Sequence, residues 1–270
     1  MKNLIPILLA VVVLSSGCDP DGYSCNSEGC YADDDSPQYQ TLEDCLSVCD
    51  EITPTPENCG DLVSHDGYDY STVQIGDQCW FSENCRYLPE VSNGFEFSET
   101  EPYYYVYDYQ GTDVEAAQAT ENYETYGALY NWPAVMTEGI CPSGWHIPLD
   151  EEFTELKDFL GGLSVAGGKV KETGLGHWNS PNTATNSSGW TGLPGGHRYG
   201  GQPTGYLNLG VEGNWWSASE ASNVLPGGPD LTFKLERKAR VRKLIHYTGI
   251  FYHASEVYRD YGFSARCVRD

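Results

Sequence analysis

The chain has 270 residues, of which 39 are acidic and 15 basic, so its formal net charge at pH 7 is −24. A surface this acidic repels phosphate backbones, which excludes nucleic acid as an expected partner. The ten cysteines indicate disulfides first, because the chain also begins with the features of an export signal.

Residues 1–17 are predicted to be a signal peptide. Lys2 supplies the positive start, and the apolar run from Leu4 to Leu14 is shorter than the roughly 20 residues that a membrane span needs. The run ends in LSSGC (14–18), which resembles the lipobox of bacterial lipoproteins. We therefore expect lipidation of Cys18 and an exported protein anchored in the cell envelope, at the outer membrane or cell surface. The alternative is an ordinary cleaved signal, with Cys18 joining a disulfide.

Residues 18–50 are predicted to form a small Cys-rich unit around Cys25, Cys30, Cys45 and Cys49. Four cysteines allow three pairings. A helix N-capped by Thr41 would place Cys45 and Cys49 on one face. Two disulfides are favoured over a zinc site, because the spacing lacks two tight pairs and the compartment is oxidising. Residues 51–58 have a Pro- and Thr-rich linker composition, which leaves 59–270 as one domain.

Strand signals in that domain are short. A β-branched and aromatic run from Tyr68 to Ile75 is followed by a turn at Gly76-Asp77 and a return from Gln78 to Phe81. The end of the chain alternates, which predicts a strand buried on one face. One side of this strand carries Phe263, Ala265 and Cys267, and the other side carries Ser264, Arg266 and Val268.

Two helices are predicted. Thr112 and Glu115 form a capping box before the first. Asp150 is expected to cap the second, which ends at Gly161-Gly162 and buries one face. That face carries Phe153, Leu156, Phe159 and Leu160. Few helices among many short strands indicate an α+β domain.

Five blocks occur in order: YGALYNW (126–132), CPSGWHIP (141–148), LPGGHRYGG (193–201), WWSASE (215–220) and YGFSARCVRD (261–270). Together they closely resemble the Fibrobacter succinogenes major paralogous domain, a family of exported bacterial proteins that are often lipoproteins. The match runs from about Thr72 to Asp270. It implies an α+β domain similar to the C-type-lectin-like fold, with two helices and short twisted antiparallel sheets.

The resemblance also implies a disulfide. Cys141 and Cys267 both occupy positions of the family pattern, so a bridge between them is expected. Cys59, Cys79 and Cys85 then compete for a second bridge. We favour Cys59–Cys79, with Cys79–Cys85 as the alternative.

No catalytic or metal-binding motif is legible. The calcium-binding triplets of sugar-binding C-type lectins are absent, so a structural calcium ion is possible but has no motif behind it. Formylglycine-generating enzymes, which have a similar fold, need a reactive cysteine pair late in the chain, and only Cys267 is there. His146 and His197 have no identified acid or base partner. We expect no catalytic residue, no metal site and no cofactor.

The glycine-rich block GWTGLPGGHRYGG (189–201) is the best candidate for a ligand site. Trp190, His197, Arg198 and Tyr199 are predicted to be exposed around a concave surface, where aromatic faces could stack on a sugar. Trp215 is expected in the core. The predicted function is a non-catalytic binding or adhesion module for a glycan or a protein. The alternatives are an enzyme, of formylglycine-generating type or a hydrolase, and a structural component of the cell surface.

The segment KLERKARVRK (234–243) carries six basic residues in an otherwise acidic chain. It is either a docking patch for an anionic partner or a solvated strand pair. We favour the strand pair.

Overall fold

The computed structural model describes residues 23–26, 29–32, 58–200, 205–221 and 238–270. The chain divides into two compact units, 1–54 and 55–270. In the first, β1 (Tyr23–Asn26) and β2 (Gly29–Ala32) form an antiparallel hairpin that sets Cys25 opposite Cys30. Cys18, Cys45, Cys49 and the helix predicted after Thr41 lie outside the described residues. No helix in the described part is long and apolar enough to cross a membrane.

The second unit has five helices among its described residues and a set of short strands, which makes it α+β as predicted. The helices are α1 (Val114–Gln118), α2 (Glu121–Tyr126), α3 (Trp132–Val135), α4 (Asp150–Phe159) and α5 (Leu163–Val170). The strands are β3 (Val63–His65), β4 (Tyr68–Tyr70), β5 (Thr72–Ile75), β6 (Gln78–Phe81), β7 (Tyr104–Tyr105), β8 (Leu129–Tyr130), β9 (Trp145–His146), β10 (His197–Arg198), β11 (Tyr206–Leu207), β12 (Glu212–Glu220), β13 (Lys238–Ile245), β14 (Tyr252–Tyr258) and β15 (Val268–Arg269).

Two sheets organise the unit. One has four strands in the order β5-β6-β15-β9, and the other has three in the order β12-β13-β14. The remaining strands pair as β3–β4, β7–β8 and β10–β11, and every pairing is antiparallel. The strand predicted from Tyr68 to Ile75 is divided at Ser71 into β4 and β5. Gly76 makes the predicted turn to β6 with a φ of 63°, a conformation that glycine adopts without steric cost.

The core lies on both faces of these strands. Successive strand residues point to opposite sides, so Trp215 and Trp216 enter different apolar clusters, and both are buried as predicted for Trp215. The closing run was predicted to be buried on one face only, and this was wrong. All residues from 263 to 268 are buried, and only Val268 and Arg269 form a strand.

Two disulfides tie the second unit together. They join Cys59 to Cys79 and Cys141 to Cys267, with Cα–Cα distances of 5.7 and 5.9 Å. Cys141–Cys267 is the bridge that the family resemblance implied, and Cys59–Cys79 is the pair favoured over the alternative Cys79–Cys85. Cys85 is a buried free thiol.

Both predicted helices are present, but neither has the predicted cap. Asp113, not Thr112, caps α1, since its Oδ1 accepts from the N–H of Ala116 at 2.9 Å. Helix α4 follows Leu149, whose N–H donates to the Glu152 carboxylate at 2.7 Å. The Asp150 carboxylate binds arginines of β13 instead, as described below.

The apolar face of α4 is narrower than predicted. Phe153, Leu156 and Leu160 are buried, whereas Phe159 is 64% exposed. The ring of Phe159 lies over the β5–β6 turn, where a Cβ on Gly76 would meet it at 3.1 Å. Gly161 and Gly162 end the helix as expected, both with positive φ.

Candidate ligand-binding site

Two of the four predicted ligand residues belong to the core. Trp190 has no exposed surface. Its ring meets the Trp215 ring edge to face, 4.8 Å away between centroids, and the Arg266 guanidinium lies 3.7 Å over the Trp190 ring. The prediction that Trp190 offers an exposed stacking face was wrong, because the whole ring is enclosed in the core.

Arg198 is also buried, with no exposed surface. Its Nε donates to the Gly94 carbonyl at 3.0 Å and its Nη1 to the Asp260 carbonyl at 2.9 Å. The guanidinium also lies 5.1 Å from the Tyr105 ring centroid. Arg198 therefore joins loops of the scaffold, and its assignment to the ligand site was wrong.

His197 and Tyr199, the other two predicted residues, line a cavity of about 450 Å³ between β10 and the β12-β13-β14 sheet. His197 is buried, so its predicted exposure was wrong, whereas Tyr199 is exposed as predicted. This volume lies within the range of small-molecule sites. One wall is aromatic and the floor is polar. We call the aromatic lining residues, Tyr199, Tyr258, Tyr261 and Phe263, the wall, and the polar ones, His197, Glu212, Asn214 and Lys243, the floor. The rest of the lining consists of Leu207, Asn208, Val241, Ala254 and Val257.

Three of the four rings of the aromatic wall are linked by ring contacts. The rings of Tyr199 and Tyr261 meet edge to face at 5.1 Å, and Tyr261 stacks on Phe263 at 5.5 Å between centroids. Tyr199 and Tyr258 are the most accessible members, at 36% and 46% exposed. The wall therefore grades from the buried Phe263 to two tyrosines that solvent reaches.

The floor holds one pair of opposite charges. Lys243 Nζ lies 3.0 Å from Glu212 Oε2, and His197 Nδ1 lies 3.9 Å from the same oxygen. Within the described residues, neither His197 Nδ1 nor Glu212 Oε2 has a hydrogen-bond partner. Lys243 contacts the Glu212 carboxylate as an ion pair without a hydrogen-bonding geometry.

His197 is neutral at neutral pH. Burial lowers the pKa of this imidazole to about 4; nearby Glu212 opposes the shift and Lys243 adds to it. A neutral imidazole offers one donor and one acceptor. The floor thus presents a carboxylate, an ammonium and an uncharged ring within one small volume.

Sequence reasoning missed Glu212, Lys243, Tyr258 and Tyr261. Register places Asn214 opposite Lys243 across the β12–β13 pair, which sets Glu212 and Lys243 within contact distance. The only signal was the alternation of each strand. The connection between Glu220 and Lys238 has 17 residues, and a connection of this length does not fix the register of the two strands as a short hairpin turn would.

The described half of the basic segment is bound internally. Asp150 Oδ2 lies 2.8 Å from Arg240 Nη1, and Asp150 Oδ1 lies 2.6 Å from Nη2 of the buried Arg242. Lys243 faces the cavity and contacts Glu212. These contacts argue against a free docking patch at 238–243, and Lys234 and Arg237 lie outside the described residues.

His253 Nε2 lies 3.3 Å from Asp150 Oδ1. Two further histidines outside the cavity have carboxylate partners that the sequence did not reveal. His146 Nε2 lies 2.9 Å from Glu152 Oε2, and His146 Nδ1 lies 2.6 Å from Asp270 Oδ1. His177 Nδ1 lies 2.9 Å from Glu172 Oε1. No hydroxyl or thiol among the described residues is hydrogen-bonded to either ring, so these pairs lack the nucleophile of a hydrolase triad.

In the described chain, the sulfurs of Cys85, Cys141 and Cys267 form a group of metal-type donors that lie within 4.8 Å of one another. Two of them form a disulfide and cannot act as thiolates, so the group does not make a metal site. Burial also raises the pKa of the Cys85 thiol to about 12, with Arg266 opposing the shift. A thiol held in this protonated form is a poor nucleophile.

Comparison with known proteins bears on the second unit. The family model described as the Fibrobacter succinogenes major domain matches residues 73–269, which is most of the chain. The chain belongs to this family. No curated protein and no solved structure matches it. The Fibrobacter succinogenes major domain of this chain therefore includes β10, β12, β13 and β14, whose residues line the cavity.

Proposed function

We propose that this chain is an exported, non-catalytic binding module that holds its ligand in the cavity beside β10. The observation that carries the proposal is the buried His197 Nδ1, which has no hydrogen-bond partner among the described residues and lies beside the Glu212–Lys243 ion pair and an accessible aromatic wall. Leaving such an atom unpaired costs about 1–3 kcal/mol, and a ligand in the cavity would offset that cost. Binding, rather than chemistry, suits a site whose imidazole has no nucleophile beside it.

Location at the cell envelope is part of the proposal. It is supported by the signal-like residues 1–17 and by Cys18 at the end of the lipobox-like LSSGC. Two acyl chains on Cys18 would add about 0.8 kcal/mol of membrane affinity per buried CH₂ group. Mass spectrometry of the mature N-terminus tests this part, because a lipidated Cys18 and a free one differ by the mass of the acyl groups.

For the fold we propose the C-type-lectin-like arrangement, which the family resemblance implies. Three features support it: the short antiparallel sheets, the helix pair α4 and α5, and the disulfide between Cys141 and Cys267, which are 126 residues apart in sequence. A crystal structure with another topology for the sheets would refute it.

The binding function is tested by filling the cavity. Ala254 lines it from β14, and Ala254→Trp should occupy much of its volume. The full chain is screened against a library of peptides, oligosaccharides and aromatic small molecules. We expect at least one class to bind and to be lost in Ala254→Trp but kept in Ala116→Trp, a control at an exposed position of α1. Binding that survives Ala254→Trp, or no binding to any class, would refute the cavity as the functional site.

A further inference from the structure

The charge of the cavity floor restricts what it can hold. Glu212 and Lys243 carry opposite charges and lie 3.0 Å apart, while burial keeps His197 neutral. The floor therefore has no net charge, and the chain around it is strongly acidic. A phosphate, sulfate or uronate would meet one ammonium that is already paired. Anionic ligands are disfavoured.

Cationic and apolar ligands are also disfavoured. Lys243 already compensates the Glu212 carboxylate, so a second cation on the floor would meet the Lys243 ammonium and no uncompensated carboxylate. A wholly apolar ligand would leave His197 Nδ1 buried without a hydrogen-bond partner and would desolvate the Glu212–Lys243 ion pair, which is costly.

An uncharged ligand with several hydroxyls suits the floor. A hydroxyl is both a donor and an acceptor. One hydroxyl can donate to the Glu212 carboxylate while its neighbour accepts from the Lys243 ammonium, because these two groups stand side by side. The neutral ring of His197 adds a partner of either kind. Two adjacent hydroxyls on one ring would satisfy the floor without changing its charge.

The wall requires one apolar face on the same ligand. Tyr199, Tyr261 and Phe263 form a continuous set of ring contacts beside the polar floor, and Tyr258 lines the same cavity. A molecule with hydroxyls along its edge and C–H groups across its face matches both surfaces at once. Sugar rings have this division of polar edge and apolar face.

We propose that the cavity binds a neutral sugar ring, stacked on the tyrosine wall and hydrogen-bonded through adjacent hydroxyls to Glu212 and Lys243. This inference rests on the proposed binding function and names the class of ligand.

The test uses the full chain and a panel of neutral oligosaccharides of glucose, galactose, mannose and xylose, with sulfated and uronic-acid oligosaccharides beside them. We expect a neutral oligosaccharide to bind more tightly than any charged one. Tyr258→Ala should weaken that binding about tenfold or more, while Tyr258→Phe, which keeps the ring, should change it less than threefold. Tyr247→Ala, an exposed tyrosine outside the cavity lining, is the second control.

The floor is tested with the neutral double variant Glu212→Gln/Lys243→Gln, which removes both charges without leaving either one buried alone. Losing one hydrogen bond to a charged group should again cost about tenfold in affinity or more. The exposed Glu124→Gln is the matched control. A thermal unfolding curve for each variant separates lost binding from lost folding.

The outcomes separate this inference from the function beneath it. If no neutral oligosaccharide binds, or charged ones bind more tightly, while another class is still lost in Ala254→Trp, the sugar assignment fails and the binding function stands. If Tyr258→Ala and the double variant both bind sugars as tightly as the unmodified protein does, the assignment of this cavity to sugar fails. If no probe of either panel depends on the cavity, both proposals fail.

Discussion

A single buried arginine explains why the glycine-rich block does not present its tryptophan to a ligand. Arg266 stacks on Trp190 and donates from Nη2 to Asn84 Oδ1 at 2.8 Å and from Nη1 to the Trp190 carbonyl. Burial lowers the pKa of this guanidinium to about 9, while the nearby Cys85 and Glu83 oppose the shift. The alternation of the last segment predicted Arg266 on a solvent face. Spacing alone could not show that partners far along the chain would enclose it.

The free thiol next to the long disulfide leads to a prediction at the same scale. Cys85 Sγ lies 3.5 Å from Cys267 Sγ, inside the core. In Cys141→Ser, Cys267 loses its partner and Cys85 is the nearest thiol. We expect oxidative folding of this variant to join Cys85 to Cys267, detected as a linked peptide by mass spectrometry of the unreduced digest.

The double variant Cys85→Ser/Cys141→Ser is the control for that pairing. It should yield an unpaired Cys267 that reacts with an alkylating reagent after unfolding. A Cys141→Ser protein whose Cys85 and Cys267 both remain free would contradict the prediction. It would mean that the packing around Cys85 does not allow the two sulfurs to approach bonding distance.

At the scale of elements, His146 joins β9 to the start of α4 and to the residue after β15. The hydrogen bond to Glu152, and to a smaller extent the one to Asp270, raises the pKa of His146 above its ordinary value of 6.5, and burial opposes the shift. A group whose pKa is higher in the folded state than in the unfolded state stabilises the fold, and this contribution is complete at pH values below its unfolded-state pKa. That stabilisation disappears as the pH rises through the folded value.

We therefore expect His146→Gln to destabilise the protein more in mild acid than in alkali. The free energy of unfolding of both proteins is measured by urea titration at about pH 5.5 and about pH 9. The loss of this free energy in His146→Gln should be ~0.5–1 kcal/mol larger at the lower pH. That is the range for partly exposed ion pairs. Asp270→Asn should reduce this pH dependence. A difference that grows with pH would show that His146 is not held in its charged form.

The elements themselves were predictable to different degrees. Alternation and turn chemistry located β5, the Gly76 turn and β6, because these features act within a few residues. Helix α5 was missed, since its LSVAGGKV sequence contains two poor helix formers. Packing requires one of them: a Cβ on Gly167 would lie 2.5 Å from the Ile250 carbonyl oxygen. A close approach of this kind has no local signature.

For the whole molecule, the two disulfides should contribute unequally to stability. The bridge Cys141–Cys267 spans 126 residues and Cys59–Cys79 spans 20. The chain-entropy model gives about 5 kcal/mol for the first loop and about 3 kcal/mol for the second. We expect Cys141→Ala/Cys267→Ala to lower the free energy of unfolding more than Cys59→Ala/Cys79→Ala does, measured by denaturant titration. The reverse order would indicate that lost core packing outweighs loop closure.

The cavity could not be predicted as a whole. His197 and Tyr199 were identified because glycines around them suggested a loop, whereas Glu212, Lys243 and Tyr258 come from three strands whose register depends on tertiary contacts. The same limit explains the errors at Trp190 and Arg198. Residue type and spacing indicated which segment approaches the site, but not which side chains of that segment face it.

Four cations of the second unit, Lys171, Arg198, Arg242 and Arg266, are held in its interior. Their positive groups therefore do not interrupt the outer surface, which is more uniformly acidic than the composition alone suggests. Two copies that approach each other meet mutual repulsion, which acts over about 8 Å at physiological ionic strength and further in dilute salt. Burying these four cations thus has a colloidal effect: acidic groups meet first when two copies come together, and added salt weakens their repulsion.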